Sequence, residues 1–309
     1  MSSAKPARVA AEVRDALVTL LWRQWSAIGG AASAQPARSQ VDPEALILGS
    51  LGLESAEPRL WVVMRDWLRE GTRLLSVQRL ENTCRLFDES IKSHLGRVAW
   101  VAVHEAMDAR WRRLAKGVEP PSSDGARRRS RGVALDAPAA LILRLRSAFG
   151  VGVKADVLAF LLGRSAEPSR TALIVRATAY TQPSVFRALK ELVAAGLVNA
   201  SRSAPAEYWV DVAPWRRFLR LAERAPPWCY WSDVIAYGLR FLGWAAARSE
   251  RPATDYALGA LWRSLAEEGE SVFTLTGIAT REEPFPESAD VEEWARLHQR
   301  LAMWIEASA

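Results

Sequence analysis

Hydrophobic residues recur at helical spacing along most of the chain. Val9, Val13, Leu17, Leu20 and Leu21 fall on one face of a first helix, with Arg14, Asp15 and Arg23 between them. Gly29-Gly30 and the polar run to Gln40 end it. Asp42-Pro43-Glu44 predicts a new helix start, with Asp42 as N-cap and Pro43 at the first helical position. Leu46, Ile47 and Leu51 follow. Pro58 opens a helix bearing Leu60, Trp61, Met64 and Leu68, which Gly71 closes. Ser76 caps another running through Leu80 to Phe87. The spacing of Trp100, Val103, Met107, Trp111 and Leu114 predicts one long helix from about Leu95 to Leu114.

The pattern breaks over residues 117–137, where Pro, Gly and Ser accompany Arg127, Arg128, Arg129 and Arg131. This composition reads as a linker, its arginines either solvated or in contact with nucleic acid. Beyond Pro214 four helical stretches return: Trp215 to Leu221, Trp231 to Leu242, Tyr256 to Leu265, and Val291 to Trp304. The expected divisions are therefore a helical domain over 1–116, a linker over 117–137, a central domain over 138–212 and a C-terminal helical domain over 213–309. The fold class is mainly α.

Residues 153–212 carry the most information. VKADVLAFLLGR gives one helix. SRTALIVRATAY gives a second, with Ser169 as a plausible N-cap and Leu173, Ile174 and Ala177 inward. A short turn, Ala179 to Gln182, follows. TQPSVFRALKELVAAG gives a third helix, capped by Thr181, with Pro183 harmless in its first turn. Val185, Leu189, Leu192 and Val193 share its apolar face, and Gly196 terminates it. Leu197-Val198, the polar stretch NASRSAPAE and Tyr208-Trp209-Val210 then read as strand, loop, strand.

These words, V-F-R-A-L-K-E-L at 185–192 and A-A-G-L-V at 194–198, resemble the winged helix-turn-helix transcriptional regulators of the MarR and ArsR type. The resemblance covers about 60 of the 309 residues. It implies three helices plus a β-hairpin wing, flanked by N- and C-terminal helical domains, and binding to duplex DNA. Departures from the family pattern are Phe186, at a place usually small or polar, and ALIVRA in the second helix.

Physical reasoning runs beside the resemblance. A helix fits the major groove and reaches base edges with its N-terminal residues. The outward positions are Gln182, Ser184, Phe186, Arg187 and Lys190. Gln pairs with adenine and Arg with guanine, while Ser and Thr suit base or phosphate. The resemblance implies base readout by Gln182, Ser184 and Arg187, with Thr181 beside them at the helix start. It likewise implies backbone positioning by Lys190 and by Arg202 at the wing tip, and Arg170 and Arg176, ahead of the third helix, are expected as further backbone contacts.

Composition sharpens the exclusions. Net charge is +6, from 41 Lys+Arg and 35 Asp+Glu, and only five of the basic residues are Lys. Two cysteines make neither a disulfide framework nor a four-cysteine zinc site. His94, His104 and His298 belong to no ligand motif, so no metal or cofactor is expected. Glycines at 150–152 form no nucleotide loop and mark a helix junction. Glu282, Glu283, Asp290, Glu292 and Glu293 suit a helix start better than paired-carboxylate catalysis. No enzyme motif is present. No apolar run spans a membrane and the N-terminus lacks a signal-peptide core, so a cytoplasmic protein is expected. The 14 tryptophans suit cores, a dimer interface or an effector pocket. The expected partners are duplex DNA and a second copy of the chain, for a repressor working as a homodimer. The alternative is an antitoxin-like protein that uses the same module to hold a partner protein. No effector is identifiable.

Overall fold

The computed structural model describes residues 4–31, 35–121, 132–221, 224–249, 254–280, 285–286 and 290–309. The arginines at 127–131 and the pair Glu282-Glu283 lie outside them. The described chain is mainly α-helical, with one small sheet.

The N-terminal elements are α1 (Ala4–Ala27), α2 (Pro43–Gly52), α3 (Arg59–Gly71), α4 (Val77–Cys84), α5 (Glu89–His104) and α6 (Arg112–Ala115). Their starts obey the local chemistry. The Asp42 carboxylate accepts from the Ala45 amide at 3.1 Å, and the Ser76 hydroxyl accepts from the Arg79 amide at 3.2 Å. The long helix expected over 95–114 is instead two. α5 starts at Glu89 and stops at His104, and Met107 takes a left-handed conformation at φ 57°. A 3-10 turn over Ala109–Trp111 then leads into α6, its start capped by Asp108. Of the expected stripe only Trp111 is fully buried, while Met107, at the break, is 82% exposed.

The central elements are α7 (Leu141–Phe149), α8 (Val153–Gly163), β1 (Ser169–Arg170), α9 (Thr171–Thr178), α10 (Gln182–Ala194), β2 (Asn199–Ala200) and β3 (Glu207–Trp209). The glycines at 150–152 do separate two helices. Ser169 is not an N-cap: it pairs with Tyr208 as the first residue of β1, and α9 starts after Arg170 without a side-chain cap. The sheet has order β1-β3-β2, antiparallel throughout, with Asn199 opposite Trp209. A two-residue strand carries no period-2 pattern, so β1 leaves no mark in the sequence.

The C-terminal elements are α11 (Val212–Leu219), α12 (Trp231–Ser249), α13 (Asp255–Glu268), α14 (Glu270–Leu275) and α15 (Val291–Ser308). Asp290 caps α15 and Glu292 and Glu293 sit in its first turn, where the helix dipole favours acid. α1 packs along both α12 and α15, and α2 packs on α12. The two ends of the chain are therefore built against each other. A Cβ added at Gly49 would stand 2.9 Å from Ile235 Cγ2, which shows how closely α2 approaches α12. No helix of the described residues is long and apolar enough to cross a membrane.

His298 of α15 is fully buried among Tyr237, Phe241, Trp262 and Phe273. Its Nδ1 lies 2.8 Å from the Trp294 carbonyl and its Nε2 lies 2.6 Å from the Tyr237 hydroxyl. The Trp262 indole nitrogen also lies 3.2 Å from Nδ1, so one neutral tautomer donates from Nδ1 to Trp294 and accepts at Nε2 from Tyr237, and the other accepts at Nδ1 from Trp262 and donates from Nε2 to Tyr237. Burial pushes the imidazole down to about 4. The folded state then binds a proton less readily than the unfolded chain, so stability is complete above about pH 6.5 and declines as pH falls towards 4. Thermal melts should show the midpoint dropping between pH 6.5 and 4.5, with a shallower drop in His298→Gln. Equal slopes in both proteins would refute this role.

Candidate nucleic-acid interface

Helices α8, α9 and α10 pack on one another. Val185, Leu189 and Leu192 anchor α10 inward and are buried, which turns its other face to solvent. Ala179, between α9 and α10, is left-handed at φ 54°, and α10 begins three residues later. Gly196 at φ +70° ends α10 and admits the turn into β2.

The structure places Thr181, Gln182, Arg187 and Lys190 exposed along the start and outer face of α10, with Ser184 half-buried. The Thr181 and Ser184 hydroxyls are 2.9 Å apart, so Thr181 bonds to Ser184 rather than capping a backbone amide. Arg202 is exposed in the loop joining β2 to β3. Arg187, Lys190 and Arg202 have no ion-pair partner among the described residues. Two of the expected contacts are engaged elsewhere. Arg170 on β1 lies across from Glu207, 3.4 Å away. Arg176 on α9 reaches the C-terminal helices, 2.8 Å from Asp233 and from the Ser271 hydroxyl. Burial raises the Asp233 carboxyl even against that pairing.

Lys154 at the start of α8, not among the residues singled out from the sequence, borders the same face of α10. It pairs with Glu191 of α10 at 2.7 Å, and that bond lowers the Glu191 carboxyl. A hollow of about 350 Å³ lies between the α7–α8 junction and α10, bordered by Phe149, Lys154, Ser184, Arg187 and Glu191.

Beneath this face lies a fully buried charge cluster. Arg79 of α4 makes a forked pair with Asp42, two bonds of 2.7 Å, and also bonds Glu44. Arg146 of α7 makes a second fork with Asp156 of α8, again two bonds of 2.7 Å, and reaches Glu44 Oε1 at 2.7 Å. Glu44 thus bridges both guanidiniums. The remaining lone pairs are satisfied: Ser232 donates to Asp42 at 3.0 Å and the Ser76 amide to Glu44 at 2.9 Å. Burial alone would raise the Asp42 and Glu44 carboxyls. The guanidiniums outweigh it, chiefly Arg79 for Asp42 and Arg146 for Glu44, and hold both below the ordinary range.

The cluster grips the turn between α9 and α10 at three consecutive residues. Arg79 Nε donates to the Thr178 carbonyl at 3.1 Å. Asn82 of α4 donates to the Ala179 carbonyl at 2.9 Å. The Tyr180 hydroxyl lies 3.1 Å from Asp156 Oδ2 and 2.9 Å from the Ser76 hydroxyl. It donates to the first and accepts from the second. Burial, then the Asp156 charge, pushes the phenol up and keeps it protonated.

The chain matches no family model, no curated protein and no solved structure. Its site must therefore be understood from its own residues. The sequence signal for the cluster was faint but present. Arg146 follows the apolar run Leu141–Leu143 and Asp156 precedes the run Val157–Leu162, whereas Arg79, set among Gln78, Glu81 and Asn82, gives no such signal.

Removing one partner of a buried pair leaves an uncompensated charge, which typically costs about 3–5 kcal/mol. Arg79→Met and Arg146→Met should each lower unfolding free energy by roughly that amount in urea titrations. Lys190→Met, at an exposed position, should shift it by no more than about 0.5 kcal/mol. Equal, small shifts in all three would contradict the cluster's role.

Proposed function

We propose that residues 153–210 form a winged helix-turn-helix, with α10 as recognition helix and the β2–β3 loop as wing. On this reading the chain is a sequence-specific duplex-DNA-binding transcriptional regulator, acting as a repressor and as a homodimer. The observation that carries it is the outer face of α10. A firmly anchored helix presents Gln182, Ser184, Arg187 and Lys190 outward, with Arg187 and Lys190 in no salt bridge among the described residues and Arg202 beyond the helix end. The element order α8, β1, α9, α10, β2, β3 and the β1-β3-β2 sheet support the module assignment.

Gln182 and Arg187 carry the donors that read adenine and guanine in the major groove. Lys190, a turn further on, and Arg202 neutralise phosphates. Arg170 and Arg176, already paired, contribute to holding the module rather than to contacting DNA. A dimer doubles the contact by reading two half-sites.

A second reading is favoured by one observation. Phe186 lies between the presumed base readers with 56% of its surface exposed. A partner protein held on α10 would cover it.

The two readings separate by experiment. Under DNA binding, Lys190→Ala weakens affinity for all duplexes and lowers the salt slope by about one. Arg187→Ala instead lowers the preference for the selected sequence, by about 1–3 kcal/mol. Anisotropy titrations over a salt series measure both. Absence of any salt-dependent duplex binding, with a stoichiometric protein complex that loses stability in Phe186→Ala, would support the second reading instead.

A further inference from the structure

Phe149 borders a second cleft as well, of about 470 Å³, within the roughly 300–1,000 Å³ of small-ligand sites. Its wall draws on separate parts of the chain: Phe149 at the end of α7, Leu197 after α10, Asn199 of β2, and Asp211, Trp215 and Phe218 at the start of and along α11. The rings meet edge to face: Phe149 and Trp215 at 6.0 Å and 64°, Trp215 and Phe218 at 6.1 Å and 82°. Trp215 is buried, whereas Phe149 and Phe218 are 43% and 66% exposed. Leaving two such rings in water forfeits burial energy that a ligand covering them would recover.

The charge of the wall narrows the ligand. Among the described residues no Lys, Arg or His lines the cleft, and Asp211 is its one charged side chain. Asp211, Pro214, Trp215 and Phe218 recur at i, i+3, i+4 and i+7 and so share one side of α11, while Arg216 and Arg217 fall on the other. Asp211 Oδ1 accepts from the Ala213 amide at 3.2 Å, and the carboxylate has no ion-pair partner among the described residues. Ring faces and an unpaired carboxylate both attract positive charge, and aromatic cages of this composition are the usual hosts of quaternary ammonium groups. An inorganic cation fits less well, because it takes six or more oxygen ligands and the side chains here offer one carboxylate and the Asn199 amide. A primary ammonium is strongly hydrated and asks for three acceptors. A methylated ammonium needs no acceptors, spreads its charge over its methyl groups and is at home against rings. The apolar remainder of the cleft, with Leu197 in its wall, accommodates a flat apolar body attached to it.

We propose that the Phe149–Trp215–Phe218 cleft is a binding site for a small organic cation, an aromatic body whose methylated ammonium group sits beside Asp211. This goes beyond the duplex-binding reading and does not depend on it.

The full chain is titrated, by ligand-observed NMR, with three probes of one shape. They are para-(hydroxymethyl)phenyltrimethylammonium, its uncharged isostere para-tert-butylbenzyl alcohol, and the anion para-tert-butylbenzoate. The cation should bind at least about fivefold more tightly than the neutral isostere, and the anion most weakly. Asp211→Asn keeps a side chain able to cap α11. It should cut the preference for the cation to about twofold or less and leave the neutral affinity unchanged. Phe218→Ala, at an exposed position, should weaken the cation about fivefold with an unchanged circular dichroism spectrum, and Phe149→Leu should weaken it in the same direction. Equal affinity for cation and neutral isostere, a preference that survives Asp211→Asn, or no binding of the cation at millimolar concentration overturns the assignment. So does cation binding that neither ring substitution weakens, which would place the cation elsewhere. A dimer that falls to monomer in Phe218→Ala, with the cation bound only by the monomer, would make the cleft a copy–copy interface and overturn it too. The titrations contain no nucleic acid, so their outcome is independent of the duplex-binding reading.

Discussion

Glu44 shared between Arg79 and Arg146 is the interaction on which the arrangement turns. It lies where α2, α4, α7 and α8 converge, and none of its bonds is local in sequence. Taking five ionised groups out of water is unfavourable unless every lone pair and every N–H finds a partner. Here forked pairs, backbone amides and hydroxyls supply those partners, so few rearrangements of the surrounding helices are tolerated. A buried ionic cluster is weak evidence for stability as such. Its value lies in specifying one packing over others.

That specificity bears directly on α10. The turn preceding it has Thr178 and Ala179 carbonyls bound by α4 and the Tyr180 hydroxyl held by the cluster. α9 is tied on its other side by Arg176 to α12 and α14. The N- and C-terminal helices therefore act as supports for the central module. Nucleic-acid reading by a few side chains requires a helix held in a fixed orientation, and the proposed function asks for this kind of support.

Much of this was legible in the sequence where the physics is local. Caps at Asp42 and Ser76, the apolar stripe of α10 and the stop at Gly196 follow from side-chain chemistry within a few residues. The mainly helical class followed from periodicity. What escaped was nonlocal or too short. β1 is two residues long and exists because β3 passes beside it. The break after His104 is imposed by packing, with Trp111 drawn into the core. The charge cluster joins residues up to 114 positions apart, from Asp42 to Asp156, and no window of sequence contains it. Arg170 and Arg176 were counted as free cations because their partners, Glu207 and Asp233, lie 37 and 57 residues away.

Native-state hydrogen exchange tests most directly whether the cluster holds α10 in place. Wild type and Arg79→Met should be compared under conditions where both are folded. If the cluster fixes the turn, the substitution accelerates exchange across 171–194 by far more than across α13 and α15. Unchanged protection over 171–194, with the cluster broken, would contradict the account.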